Sequence, residues 1–380
     1  MSSPDVTPAT APGPPPAEVL AGRLHVYVAF DWGDEIDLEH AGRLAPGAAL
    51  ALSRRPRTPT SFTYKPPPLR FRLAPVTLDL PGGQRTTAEA TEATVFDFAA
   101  VSVAFRVHFR MTAAELTALA GHLAEPATGA ALIQAARAAV GPLHEKLLPT
   151  VQAPRWQDDQ WEEYFVFQFP PGEPLTPDVL LGERAGWLAG LLRLEDQPLS
   201  AEEAAEAVRL PLRYGRHDLF LPDWAAAVLL DHEGECDETL QTVEFANLQL
   251  LEYRHIDDRL DAALAGANRA TRGGWLPIWR SHAAPLRRLG ELKVEANGLF
   301  ERTGNVLKLI GDQYLARVYG LLATRFHLRE WERSIQRKLE VIEGLYKVVA
   351  DQTVTFRMEF MEAVVIGLIL LEVLLAVFRH

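Results

Sequence analysis

The sequence predicts an α+β head domain, followed by a helical hairpin and coiled-coil region and one C-terminal transmembrane helix. Three observations support this class. Strand and helix patterns alternate over the first 230 residues without a regular βαβ rhythm. A helical pattern with 3-and-4 spacing occupies residues 328–356, and a continuous apolar run occupies residues 361–378.

Composition is that of a globular protein. The chain has 380 residues, of which 48% are hydrophobic and 23% charged. Its net charge of −12 argues against a general polyanion binder, because affinity for phosphates comes from clustered Lys and Arg. The single cysteine, Cys236, excludes an intrachain disulfide and fits a reducing compartment. We predict no cofactor.

The head domain is predicted over residues 21–235, after a disordered Pro-rich tail at residues 1–20. Its clearest strand is 101–110, where apolar side chains alternate with polar ones, so we expect one buried face and one face in water. Thr112 and Glu115 fit a capping box that begins a helix, and Ser200 with Glu203 fits another. Further predicted strands are 24–30, 69–80, 164–169, 210–221 and 225–230, and a further helix is 128–147.

The helical region is predicted over residues 236–356. Helices are expected at 239–264, 286–300 and 307–326, and then from 328 onward. The last of these carries a coiled-coil seam that is interrupted at Lys338 and Gln352. The residues of the seam are Leu328, Trp331, Ile335, Ile342, Leu345 and Val349. Helices of this kind pack side by side within one chain or between chains, so a homo-oligomer is the expected assembly.

The run at 361–378 predicts a C-terminal anchor. As a helix it is roughly 27 Å long, against about 30 Å of bilayer hydrocarbon. The prediction is a single-pass protein with the membrane as partner and the head domain in the cytoplasm. Gly367 is tolerated in membrane helices, whereas Glu372 is unfavourable in lipid and so marks self-association through a partner helix. The alternative is a buried helix at a subunit interface.

An Arg-rich segment is the sharpest candidate for ligand binding. Prolines stiffen it, and Phe62 and Tyr64 are interleaved with its charges. Such a loop can bind the phosphate of a nucleotide, an RNA backbone or a lipid head group. The alternative is a surface loop whose arginines pair with the excess acids, and nucleic acid is a possible but not a favoured partner. The candidate anion-binding residues are Arg54, Arg55, Arg57, Lys65, Arg70 and Arg72.

Two acidic groups invite a chemical interpretation. The first is His232, Glu233, Glu235, Cys236 and Asp237, which lacks the second cysteine or histidine spacing of a zinc site, so no metal is predicted. It fits equally an acidic loop before a helix N-terminus. The second comprises four residues that can bind Mg²⁺, act as acid and base, or form a salt-bridged face: His255, Asp257, Asp258 and Asp261. The catalytic residues are unknown, and phosphate-loop, nucleophile-elbow and metalloprotease motifs are absent from the sequence.

The C-terminal third resembles a known family. Residues 310–319 read IGDQYLARVY, a long helix follows, and residues 356–360 read FRMEF before an apolar run that contains LEV. This order is similar to the required-for-meiotic-nuclear-division family of unknown function, with YagE-type members. Residues 95–103 and 245–252 resemble a strand and a central helix of that family. The resemblance implies a membrane-anchored oligomer and transfers no catalytic residues. Mitochondrial members are associated with the inner membrane and with support of translation.

Three functions follow from these features. The first is a membrane-anchored, oligomerising scaffold or adaptor whose protein partner is unknown. The second is an anion-binding module that uses the Arg-rich segment. The third is a metal-dependent enzyme with a site between residues 232 and 261, although the sequence favours a non-enzymatic protein.

Overall fold

The computed structural model describes residues 18–45, 49–50, 67–80, 84–156, 160–232, 236–272, 287, 290–298, 300–301 and 313–378. Eight strands form the main sheet: β1 Val19–Asp31, β3 Ala49–Leu50, β4 Leu69–Arg72, β7 Ala90–Val95, β8 Ala100–Thr112, β10 Glu162–Phe169, β11 Leu219–Pro222 and β12 Ala226–Leu230. Their order across the sheet is β11-β12-β10-β1-β8-β7-β4-β3. Two small antiparallel pairs join β2 (Glu35–Ile36) to β9 (Val151–Gln152) and β5 (Thr77–Leu80) to β6 (Gln84–Thr87).

Helices cover both faces of this sheet. Six come before the last strand or between strands: α1 Leu38–Leu44, α2 Ala113–Leu123, α3 Pro126–Leu147, α4 Pro177–Leu181, α5 Ala185–Arg193 and α6 Ala201–Ala207. The others follow β12: α7 Asp237–Arg272, α8 (residues 290–298), α9 Gln313–Arg325 and α10 Leu328–Phe378.

Strand β1 is central to the sheet. It pairs antiparallel with β8 on one side and with β10 on the other. Strand β10 in turn pairs with β12, and these two strands are parallel. Gly22 permits the close approach of these strands, because a Cβ atom there would lie 2.3 Å from the Gln168 carbonyl oxygen and 2.5 Å from the Phe109 ring. The glycine therefore fixes where the three strands can come together.

The two faces of β1 contribute to two separate cores. Leu24, Val26 and Val28 point into a core closed by α2, α3 and α5. Tyr27 and Ala29 point into a second core. That second core is closed by side chains of α7, α9 and the first half of α10, including Val243, Leu248, Val318, Leu322 and Ile335. The sheet thus lies between two helical layers.

The strand predicted at 101–110 is confirmed by β8. The prediction that one face of this strand lies in water is wrong. Ser102 is fully buried, and it lies against Glu244 of α7. Ala104 and Arg106 on that face are half-buried, and the face is fully exposed only from His108 onward. Alternation reports side-chain polarity, and a small residue such as serine does not prevent a helix from covering the face.

Local signals predict several element boundaries correctly. The capping box of Thr112 and Glu115 is present in both directions at the start of α2. The Ser200 hydroxyl accepts from the Glu203 backbone N–H at the start of α6. The single strand predicted at 69–80 is wrong, because the chain divides there into β4 and β5 around Pro75, and proline cannot donate to a strand ladder.

The fold-class prediction is wrong in its transmembrane helix. The structure has a mixed α/β architecture, and residues 361–378 form the end of α10. Within the described residues no helix contains an apolar segment long enough to cross a membrane. The predicted membrane partner and the single-pass localisation with a cytoplasmic head are therefore wrong too.

The seam residues of α10 pack inside the chain. Leu328, Ile335 and Ile342 are buried in the second core, with Trp331 and Leu345 partly buried beside them. The side chain of Val349 lies outside those described. At the interruption, Lys338 Nζ lies 2.8 Å from Asp257 Oδ2 and 2.6 Å from Asp261 Oδ1, which aligns α10 with α7.

Because α7 to α10 supply one side of the second core, the predicted boundary between the head domain and the helical region becomes testable. A chain that ends at Cys236 should lose the cover of Tyr27, Tyr164 and Leu229, and therefore bind a hydrophobic dye and aggregate. A chain that ends at Asp351 keeps every described residue of that core, so it should stay soluble and unfold cooperatively. Dye fluorescence and thermal melting measure both, and a cooperative, soluble chain ending at Cys236 would show that the head folds alone.

Candidate functional site

The second half of α10 exposes apolar side chains. We call residues 358–371 the apolar extension. Met361 is 65% exposed, Leu368 60% and Ile369 56%. The remaining large apolar residues of the extension are exposed in the same way: Met358, Phe360, Val364, Val365, Ile366, Leu370 and Leu371.

These side chains surround the helix. Consecutive helical residues are separated by about 100°, so Val364, Val365 and Ile366 alone span more than half of the circumference. A Cβ atom added at Gly367 would have no described neighbour within 4 Å. The side chain of Glu372 lies outside those described. A helix that is apolar on all sides is normally buried, and large exposed apolar patches mark interaction sites.

The Arg-rich segment is described only at its end. Arg54, Arg55, Arg57 and Lys65 lie outside the described residues. Arg72 is exposed on β4. Arg70 is engaged, because its Nη2 donates to Glu244 Oε2 at 3.1 Å and its Nη1 lies 3.8 Å from Glu92. The anion-binding assignment stays a prediction, and in the structure Arg70 already has two carboxylate partners.

A small cavity lies beside Arg70, between the sheet and the start of α7. Its volume of about 30 Å³ has room for one or two water molecules. The charged groups that line it are Arg70, Glu92, Arg106, Asp237 and Glu244, with His25 on β1. Burial raises the pKa of Glu244, and Arg70 opposes this by attracting the ionised carboxylate. Burial also lowers the pKa of His25 to about 4, so this imidazole is neutral at pH 7.

The two acidic groups predicted from the sequence lie far apart. Asp237 of the first group begins α7, and His255 of the second group lies further along the same helix, about 27 Å away at 1.5 Å per residue. In the second group, Asp257 and Asp261 pair with Lys338, and Asp258 accepts from Gln160 Nε2 at 3.2 Å. Of the described residues, no three metal-ligating side chains come together. The enzyme hypothesis stays a prediction.

A partly buried charge network, which the sequence did not indicate, surrounds His255. Arg155, after β9, donates from Nε to Asp31 Oδ2 at 2.7 Å and from Nη2 to Glu295 at 3.3 Å. Arg259 of α7 donates to both carboxylate oxygens of Glu295, at 2.7 and 2.6 Å. The network joins the end of β1 to α7 and α8. Its members are too distant in sequence for a local pattern to connect them.

The network leaves His255 neutral. Burial, together with the positive charges of Arg155 and Arg259, lowers the pKa of this imidazole to about 3. Its Nδ1 forms a hydrogen bond with Gln160 Oε1. Its Nε2 lies 3.4 Å from Asp31 Oδ2, but the geometry of that contact is not that of a hydrogen bond. Burial likewise raises the pKa of Cys236 to about 12, so the thiol is protonated and poorly nucleophilic. Neither group is poised for acid–base or nucleophilic chemistry at pH 7.

His255 should make the fold sensitive to acid. An unfolded histidine binds a proton below about pH 6.5, whereas folded His255 does so only near pH 3, so stability falls as the pH drops between these values. From pH 7.5 to 5.5 the loss from His255 is about 1.4 kcal/mol. His255→Gln should remove that part of the slope in urea unfolding at the two pH values. His108→Gln, at an exposed histidine, is the control, and equal slopes in the His255→Gln variant and the parent would refute the assignment.

The family resemblance proposed from the C-terminal third is wrong. Its motifs are short apolar segments, such as 245–252 on the buried side of α7, and these recur wherever an amphipathic helix packs. The sequence profile described as "Uncharacterized protein MJ0711, N-terminal domain" matches residues 21–237 instead. No solved structure matches the chain significantly.

A relative agrees with this profile. The uncharacterized protein MJ0711 of Methanocaldococcus jannaschii is 28% identical over 216 residues, which are 57% of this chain and 66% of the relative. The match therefore spans slightly less than two thirds of the relative's length. Since the profile covers more than half of the present sequence, this chain belongs to the MJ0711 N-terminal domain family.

Proposed function

We propose that this chain is a self-assembling scaffold or adaptor, held together by the apolar extension of α10. A membrane anchor is no part of the proposal. The observation that carries it is the exposure of apolar side chains on every side of residues 358–371. Water contact with so much apolar surface is unfavourable, at roughly 25 cal/mol per Å², and association relieves it.

The apolar extension packs against the apolar extensions of other copies of this chain. The 3-and-4 spacing of the seam is interrupted at Lys338, Gln352 and Glu359, and it resumes at Ala363, Ile366 and Leu370. One half of α10 already uses that spacing to pack on α7, so the extension continues an existing packing face. One partner helix would cover only one side of the extension. A bundle of at least three copies is needed to cover all of its sides. The bundle would display several copies of the sheet domain around a shared axis, which is the geometry of a scaffold.

Charge introduced into the extension should prevent assembly. Ile366→Lys with Leu370→Lys should convert the oligomer to a monomer, because buried unpaired ammonium groups are strongly unfavourable. Light scattering coupled to size-exclusion chromatography, without detergent, gives the mass. Val341→Lys is the matched control, since Val341 is a 48% exposed apolar residue on the same helix before the extension.

The result can contradict the proposal in two ways. A monomeric parent chain would exclude assembly. If the parent chain floats with added phosphatidylcholine vesicles and forms no discrete oligomer, the extension binds lipid and does not assemble with other copies. A chain that ends at Asp351 should be monomeric and fully folded in either case, which separates assembly from folding.

Glu372 provides a second test. It is the single charged residue between Ala363 and Phe378, and in a bundle it lies among apolar neighbours. Glu372→Leu removes a carboxylate that must be desolvated or paired, so the oligomer should persist at roughly tenfold lower protein concentration or below. Sedimentation at a dilution series measures this. Weaker assembly in Glu372→Leu would show instead that the carboxylate has a partner across the interface.

A further inference from the structure

An aromatic and basic surface lies where the turn before β11 meets the start of α9. Tyr214 in the turn is 77% exposed. Its ring meets that of Tyr314 edge to face, with centroids 5.5 Å apart at 76°. The guanidinium of Arg317 lies 5.9 Å from the Tyr314 ring centroid. We call Tyr214, Arg216, Tyr314 and Arg317 the tyrosine–arginine surface.

The turn holds Tyr214 in place. The Asp218 carboxylate accepts from the backbone N–H of Tyr214 at 2.6 Å and also from that of Gly215. A Cβ on residue 215 would lie 2.9 Å from Asp218 Oδ1, so the glycine permits this closure. The backbone is thereby fixed while the ring stays in water. An exposed aromatic ring on a fixed backbone can stack on a ligand with little loss of conformational entropy.

The two arginines are available to a ligand. Arg216 and Arg317 are exposed, and within the described chain no carboxylate pairs with either guanidinium. The neighbouring Arg213 differs, because its Nη2 donates to Asp178 Oδ1 at 2.9 Å. One arginine therefore follows Tyr214 in the turn and the other lies beside Tyr314 on α9, in a protein whose net charge is −12.

We propose that the tyrosine–arginine surface binds single-stranded nucleic acid. Tyr214 stacks on an unpaired base, and Arg216 and Arg317 contact phosphates on either side of it. Every base has a π-face, so this mode is tolerant of sequence. An acidic peptide would use the arginines but would have no need of the tyrosine ring. A duplex is disfavoured because its bases are already stacked on one another.

The charge of the protein shapes this binding. Repulsion from the other acidic groups weakens the long-range attraction of a polyanion. With two phosphate contacts, the logarithm of the association constant should fall with the logarithm of salt concentration at a slope of only about −1.4. Stacking then supplies a larger share of the affinity than in a basic protein, so the Tyr214 ring is the decisive group.

The test is fluorescence anisotropy of a labelled twelve-nucleotide oligouridylate with the full chain, over a series of salt concentrations. Tyr214→Ala should weaken binding by about 5- to 150-fold, and Tyr214→Phe should retain it. Arg216→Gln with Arg317→Gln should weaken binding and flatten the salt slope. Trp224→Ala, which removes another exposed aromatic ring (59% exposed) at the β11–β12 turn, should change nothing.

Other results would overturn the proposal. Undetectable binding of the oligonucleotide by the parent chain would do so directly. Equal weakening by Tyr214→Ala and Trp224→Ala would show nonspecific attraction to aromatic groups. Displacement by heparin together with full binding by Tyr214→Ala would mean that the arginines bind polyanions without stacking. Thermal melting of each variant confirms that the loss is not one of folding, since Tyr214 lies outside both cores.

Discussion

The burial of the main sheet on both faces is the constraint on which the other features depend. Successive side chains of β1 point to opposite faces, and both sets are apolar over Leu24–Phe30, apart from His25. Each face therefore needs its own helical layer. Residues 113–207 provide much of the first, but the second is assembled only after β12, from α7 to α10. Folding of the second layer consequently involves contacts distant in sequence, and it requires most of the chain beyond the family-matched residues 21–237.

Polar groups fix how α7 lies on the second face. Glu244 meets Arg70 near the sheet edge, and Arg155 and Arg259 meet Glu295 at the other end. Desolvation offsets much of the attraction within buried ion pairs, so these contacts contribute more to the unique register of the helix than to net stability. Removing one partner is different, since it leaves a buried charge without compensation. The raised pKa of Glu244 and the lowered pKa of His255 both reflect this desolvation.

Local signals in the sequence predicted what depends on neighbouring residues. The alternation in β8 and the capping box at Thr112 need only a few consecutive positions, and both are present. The burial of Ser102 and the network around Arg155 depend on residues more than a hundred positions apart, which no periodicity reveals. Hydropathy at 361–378 identified an unusual helix correctly but assigned it the wrong environment. Average hydropathy reports that a surface avoids water and does not identify what covers it.

The two proposed surfaces gain from being on one chain. A stacking site with two phosphate contacts is weak alone, particularly in a protein with a net charge of −12. In a bundle formed by the apolar extension, each copy would carry such a site, and a strand bound at one site would meet the next at an effective concentration of about millimolar order. Avidity of that kind can exceed the affinity of one site by roughly 10²–10⁴. A long single strand would then bind the oligomer far more tightly than a short one, whereas both would bind a monomer with similar affinity per site.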